Sequence, residues 1–160
     1  MPLPFPGAFW MPYAWREFGT REVPGPGDNP RIATYLHATS LGTPDNVNDE
    51  TPWCSAFVNF VFSQAHVVGT HSALAASWLR WGVPAPTPSQ YGDVVVLARP
   101  GGHHVAFCLD ADPSPTHPVV WLLGGNQGDA VSVAAFERSR IVGVRRPGVP
   151  SVLAPPSTPA

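Results

Sequence analysis

Residues 51–66 read TPWCSAFVNFVFSQAH and form the strongest helical pattern in this sequence. Pro52 suits the first turn of a helix, where its missing N–H is not needed, and Thr51 is suited to cap that turn. Apolar residues recur at helical spacing, and further apolar residues widen the band around the helix. The stretch therefore predicts a helix over 52–66 that is buried on most of its circumference, with Cys54 in its first turn.

The chain divides into a helical first half and a strand-forming second half. Helical spacing, N-cap residues and Gly82 predict shorter helices over 12–18, 30–38 and 72–81. After Gly82, Val- and Leu-rich runs between turn residues predict strands over 93–99, 103–110, 118–123, 130–133 and 141–146. This order indicates an α+β fold with N-terminal helices packed on a C-terminal antiparallel sheet. We expect one domain over 10–147, a flexible segment over 1–9 and a Pro-rich disordered tail over 148–160.

The composition argues against several classes of function. The 160 residues include nine arginines and no lysine, and the net charge of −2 does not provide the cationic surface of a nucleic-acid-binding protein. The apolar runs are far shorter than the roughly 20 residues that cross a bilayer. The N-terminal residues lack the basic and apolar regions of a secretory signal peptide. We therefore expect synthesis in the cytoplasm without a Sec signal, with no membrane insertion and no nucleic-acid partner.

Cys54 has the position of a reactive thiol. The first turn of a helix carries partial positive charge and free N–H groups, which lower the pKa of a thiol. The same N–H groups would stabilise an oxyanion formed beside the sulfur. The alternative interpretation is that Cys54 packs in the core as a small apolar residue.

Two adjacent histidines, His103 and His104, begin the second predicted strand. A cysteine nucleophile needs a histidine that accepts its proton and later gives it to the leaving group. Alternation along the strand groups His104 with the small residues Ala106 and Cys108, and His103 with large residues. We expect the small face to admit the helix that carries Cys54, so we interpret His104 as the base. Adjacent imidazoles on opposite faces, without further ligands, predict no metal site.

The strand spacing also bears on a disulfide. Cys108 lies four residues, about 13 Å along the strand, from His104. A Cys54 that touches His104 is therefore too distant from Cys108 to form a bridge.

Asn126 follows a hydrophobic strand and two glycines. In this position an amide oxygen would accept the imidazole N–H and fix the tautomer of the histidine. The alternative is an asparagine that only forms a turn.

Taken in order, these sites resemble the NlpC-like and CHAP cysteine peptidases and amidases. The resemblance covers about residues 10–147 and is greatest to a small bacterial and phage subfamily of NlpC-like proteins. The motifs that carry it are Glu22 with Asn29-Pro30, DETPWCSAF at 49–57, THSA at 70–73 with SWL at 77–79, YGDVVV at 91–96, LGGNQ at 123–127 and RRP at 145–147. The doubled histidine before Val105 departs from the single Gly-His-Val of the family.

The resemblance implies a papain-like fold and a catalytic set. It makes Cys54 the nucleophile, His104 the base and then the acid, and Asn126 the residue that orients the imidazole. The third position varies among these peptidases, so Gln127 or Asp110 are alternatives to Asn126.

The substrate-binding predictions concern four residues near this set: Trp53, Asp49, His103 and Gln127. Trp53 adjoins Cys54 and would line the groove, although a tryptophan there is more often part of the core. Asp49 would contact a cationic group of the substrate peptide, or would instead interact with the dipole of the helix that follows it.

The resemblance implies a hydrolase of bacterial cell walls. We expect cleavage of a peptidoglycan amide bond through a thioester, without metal or cofactor, by a stem-peptide endopeptidase or an N-acetylmuramoyl-L-alanine amidase. The protein would act in the periplasm or cell wall as a monomer, either as a phage endolysin released at lysis or as an injected antibacterial effector toxin. For an effector we expect a cognate immunity protein that plugs the cleft. The alternatives are a cysteine acyltransferase or deamidase that acts on proteins, and a non-catalytic cell-wall-binding module.

Overall fold

The computed structural model describes residues 7–24, 27–40, 52–85, 89–110 and 117–148. Three α-helices come first: α1 over Met11–Arg16, α2 over Pro30–His37 and α3 over Cys54–Gln64. Two 3-10 helices follow, over Ala75–Arg80 and Arg138–Arg140. The four helices expected from the sequence are therefore confirmed, although the fourth is wound as a 3-10 helix. Within the described ranges, no helix is long and apolar enough to cross a membrane.

The starts of α2 and α3 are capped differently. The side chain of Asn29 accepts the N–H of Arg31 at 2.8 Å, and Pro30 occupies the first helical position. The cap residue of α3 is Trp53, which makes no side-chain capping hydrogen bond. Thr51, the predicted cap, lies outside the described residues. The first-turn N–H groups of α3 therefore receive no acceptor from the side chain of their cap residue.

Among the described residues, six strands form a single sheet in which every pairing is antiparallel. Their order across the sheet is β1-β6-β2-β3-β4-β5. The strands span Val83–Pro84 (β1), Val94–Arg99 (β2), Gly102–Cys108 (β3), Val119–Gly124 (β4), Ser132–Glu137 (β5) and Ile141–Arg146 (β6). The predicted α+β architecture, with helices first and an antiparallel sheet second, is confirmed.

Two details of the sheet differ from the prediction. β1 was not predicted, because two residues are too short to show a pattern. β5 was predicted over 130–133, but residues 130 and 131 pair with the N-terminal segment instead. Ala130 bridges Arg21, and the N–H of Val131 donates to the carbonyl of Thr20 at 2.8 Å.

The two faces of the sheet bury different side chains, and α3 lies on the face with the large ones. On that face, the Phe107 ring contacts Phe57 and Phe62 of α3, with centroids 6.2 and 5.5 Å apart. His104 instead lies on the opposite face, where its ring stacks on Phe136. Our expectation that the small-residue face would admit α3 is therefore wrong. Packing large apolar rings against each other removes more apolar surface from water than packing against small residues.

The small-residue face has its own core. The residues buried there are Val95, Leu97, Ala106, Cys108, Val120 and Leu122, with Phe136, Ile141 and Val144 packed against them. Cys108 is thus separated from α3 by the sheet. Both cysteines are free.

An ion pair and a tryptophan hold the central strands in place. The guanidinium of Arg146 at the end of β6 donates to both carboxylate oxygens of Asp93, at 2.8 and 2.9 Å. The indole N–H of Trp10 donates to the carbonyl of Gly92 at 2.9 Å. Gly92 has a φ of +88°, and a Cβ there would lie 2.2 Å from Ala8. These contacts fix β2, which in turn carries β3 and the residues of the site.

Candidate active site

Cys54 lies where the first turn of α3 meets an open edge of β3. Among the described residues, β4 pairs with β3 only at Phe107 and Cys108, so the first half of β3 has no β4 partner. The Cys108 N–H donates to the carbonyl of Asp93, the residue just before β2, at 2.8 Å. Because successive N–H groups of a strand point to opposite sides, the Val105 N–H points toward the open edge. There the Val105 N–H, together with the N–H groups of Ser55 and Cys54, lies close enough to the Cys54 sulfur to favour the thiolate and lower the pKa of the thiol.

The Cys54 thiol is protonated at neutral pH. Burial raises its pKa and outweighs the lowering by the N–H groups of Val105 and Ser55 and by the charge of Arg99. We expected the helix terminus to lower the pKa of this thiol, and this expectation is wrong because the net shift is upward. The terminus contributes as expected, but the sulfur is too deeply buried for that contribution to dominate.

His104 is held by Gln127. The imidazole Nε2 lies 2.9 Å from the side-chain oxygen of Gln127. The Gln127 amide nitrogen donates to the carbonyls of Leu122 at 3.2 Å and Ser132 at 2.7 Å. Because both amide hydrogens have acceptors, the amide oxygen faces the imidazole, and Nε2 must carry the proton. This tautomer leaves Nδ1 of His104 with a free lone pair, which is the form needed for a general base.

His104 is also neutral in the folded protein. Burial lowers its pKa, and the nearby charges of Arg99 and Arg140 add to that effect, whereas the Gln127 contact opposes it. The site therefore combines a thiol and a neutral imidazole rather than a preformed ion pair.

Asn126 does not have the orienting contact expected for it. It occupies a turn with a φ of +57°, a left-handed conformation that asparagine tolerates better than most residues. Asp110, the other alternative, accepts weakly from the Trp121 N–H and pairs with Arg138 at 3.4 Å. Gln127, predicted as an alternative orienter and as a substrate-binding residue, makes the contact with His104.

Two cavities meet at this site. The smaller, of about 230 Å³, is lined by Cys54, His103 and a set of small apolar residues. The larger, of about 490 Å³, is lined by His104 and Gln127. Arg99 lines both, so the cavities adjoin at this side chain. The two histidines thus open into different cavities, as the alternation of a strand requires.

Trp53 belongs to the core rather than to a groove. Its side chain is fully buried, and its indole N–H donates to Glu22 at 2.7 Å. Gly125 of the LGGNQ motif lies against it, because a Cβ there would be 2.7 Å from the indole and 2.8 Å from Phe57. The prediction that Trp53 lines the substrate groove is therefore wrong, since packing covers the whole ring. Asp49 lies outside the described residues.

The loop over 70–73 fixes the position of α3 through a polar network that sequence reasoning missed. The Asn59 amide nitrogen donates to the carbonyls of Ser55 and Ser72, both at 3.1 Å, and its oxygen accepts the His71 N–H at 2.9 Å. The Ser55 hydroxyl accepts the indole N–H of Trp78 at 2.8 Å. The sequence signal was Asn59 in the apolar middle of α3, because a buried amide must find hydrogen-bond partners.

Arg99 and Arg140 are the other residues that sequence reasoning missed. Both line the His104 cavity, yet they lie at strand and 3-10 helix ends far apart in the sequence. In the described part of the chain, no group of three histidine, cysteine or acidic residues is placed to hold a metal ion.

No protein-family model matches the chain, and no curated protein matches it.

Proposed function

We propose that this protein is a cysteine hydrolase of papain-like architecture that cleaves an amide bond of peptidoglycan. Cys54 is the nucleophile, His104 is the base and then the acid, and Gln127 orients the imidazole. One observation carries the proposal: a thiol at a helix start lies beside the backbone N–H of Val105, the residue that follows His104 on β3, and the tautomer of His104 is fixed by a buried amide.

The chemistry begins from a neutral pair. When substrate binds, Nδ1 of His104 takes the proton of the Cys54 thiol, and the thiolate attacks the amide carbon. Backbone N–H groups at the start of α3 and at Val105 are available to stabilise the oxyanion of the tetrahedral intermediate. The imidazolium then gives its proton to the leaving amine, the C–N bond breaks and a thioester remains. Water, deprotonated by His104, cleaves the thioester, releases the acid and restores the thiol.

Contacts between the motifs that resemble the NlpC-like proteins support the papain-like part of the proposal. Glu22 of the first motif bonds Trp53 of the second, and Ser72 of the third bonds α3. Asp93 of the fourth pairs with Arg146 of the last. Motifs far apart in the sequence thus contact each other around the proposed nucleophile and sheet, which favours a shared architecture over chance similarity.

The assignment of peptidoglycan as the substrate is based on the resemblance to NlpC-like and CHAP proteins. The bond is either within the stem peptide or between muramic acid and L-Ala. The proposal includes action in the periplasm or cell wall, as an endolysin or as an injected effector with a cognate immunity protein.

The test uses purified sacculi and two matched variants. Cys54→Ala removes the proposed nucleophile, whereas Cys108→Ala removes the other free, buried thiol on the opposite face of the sheet. We expect the wild type and Cys108→Ala to release the same muropeptides, identified by mass spectrometry, and Cys54→Ala to release none. Circular dichroism checks that each variant is folded.

Two outcomes would contradict the proposal. Release of the same fragments by folded Cys54→Ala would exclude Cys54 as the nucleophile. If no form of the protein cuts sacculi while iodoacetamide modifies Cys54 faster than Cys108, the thiol is reactive but the substrate is not peptidoglycan.

A further inference from the structure

The larger cavity beside His104 carries two guanidinium groups. Arg99 is exposed at the end of β2, and among the described residues its side chain makes no hydrogen bond or ion pair. Arg140 is fixed more firmly: its Nε donates to the carbonyl of Ala98 at 3.0 Å, and its guanidinium lies 5.6 Å from the centroid of Phe136. One cation is therefore free to move onto a ligand, and the other is already positioned.

No acidic residue compensates these charges within the cavity. Its lining includes no aspartate or glutamate among the described residues, and neither arginine takes part in a salt bridge between described residues. The remaining wall is polar or apolar, with Ser132 and Phe136 among its residues. Such a site is complementary to an anion, and planar guanidinium groups match the two oxygens of a carboxylate.

The position of the cavity relative to the chemistry identifies which part of a substrate would enter it. In the proposed reaction His104 protonates the leaving amine, so the amine side of the bond lies beside His104. The acyl side lies over Cys54, whose cavity is the smaller of the two. Its wall is mostly small or apolar, with Ala73, Leu74, Ala75 and Ala76, and His103 and Arg99 lie at its border.

We propose that Arg99 and Arg140 bind a carboxylate carried by the amine side of the substrate, so that the enzyme selects amide bonds whose leaving group bears a free carboxylate. This inference rests on the proposed function and names a specificity site for it. The cleaved residue on the acyl side would be small and apolar.

The first test measures binding without turnover. Soluble muropeptides, either native or with their carboxylates converted to amides, are titrated into the Cys54→Ala protein by calorimetry. We expect the native form to bind about tenfold more tightly, because charge-assisted hydrogen bonds from both guanidinium groups are lost with the amide. Equal affinities, or no binding of either form, would overturn the proposal.

Variants assign the effect to the two arginines. Arg99→Gln and Arg140→Gln, each added to Cys54→Ala, should weaken binding of native muropeptides several-fold and leave binding of the amidated form unchanged. Arg99→Lys keeps the charge and should restore most of the preference. Arg80→Gln, an exposed arginine outside both cavities, is the control and should change nothing. If an arginine variant loses affinity for the native and the amidated muropeptides to the same extent, that arginine has a structural role and the assignment is rejected.

Hydrolysis of native and amidated sacculi by the wild type separates this inference from the proposed function. Hydrolysis without preference for free carboxylates rejects the carboxylate site and keeps the hydrolase. Carboxylate-dependent binding without hydrolysis of either substrate keeps the site and rejects the hydrolase.

Discussion

Replacing Gln127 by leucine is the most direct test of how the histidine is held. The substitution removes three hydrogen bonds: the one to His104 at 2.9 Å, and those to the carbonyls of Leu122 and Ser132 at 3.2 and 2.7 Å. Each contributes about 1 kcal/mol net, so we expect a loss of about 3 kcal/mol in the free energy of unfolding. For a chain of this size, that loss lowers Tm by about 6–12 °C, which leaves the variant folded at 20 °C.

The effect on catalysis is expected to exceed the effect on folding. A catalytic histidine held in the wrong tautomer can lose about 10⁴ in kcat. Because leucine leaves both tautomers of His104 accessible, we expect a smaller loss of about 10²-fold in kcat/KM for Gln127→Leu. The assay is release of soluble muropeptides at 20 °C, with urea denaturation to measure the stability of the same protein.

Asn126→Gly is the matched comparison, because glycine keeps the left-handed turn while removing the neighbouring amide. We expect its kcat/KM to stay within about threefold of the wild type. The reasoning is refuted if the kcat/KM of folded Gln127→Leu stays within threefold of the wild type while Asn126→Gly loses its activity.

Three further predictions follow from the charges of buried groups. Because burial raises the pKa of Cys54, its alkylation by iodoacetamide should rise steadily from pH 5 to 9; a plateau below pH 7 would instead indicate a preformed thiolate. Because burial lowers the pKa of His104, the unfolded chain takes up a proton that the folded protein does not, so stability should fall below about pH 6.5. If the urea midpoint of His104→Gln falls with decreasing pH as much as that of the wild type, this prediction is contradicted. Asp93→Asn leaves Arg146 without its buried partner and should cost about 3–5 kcal/mol of stability, measured by urea denaturation, whereas Asp129→Asn at an exposed turn should cost little.

The sequence determined the elements and the identity of the main candidates. Helical spacing from Pro52 onward predicts α3, and the Val- and Leu-rich runs predict five of the six strands, because these patterns are local. The position of Cys54 in a first turn is also local, and so is the placement of the two histidines on opposite faces of β3.

Which residues meet across the fold was decided only by tertiary packing. The face of the sheet that covers α3 depends on how the rings of Phe57, Phe62 and Phe107 fit together. The prediction that α3 packs on the face with small residues was therefore wrong. The partner of His104 depends on whether residue 126 or 127 points inward after a left-handed turn, and no spacing rule fixes that. The thiol pKa depends on the balance between burial and N–H groups, which requires the complete surroundings of the sulfur.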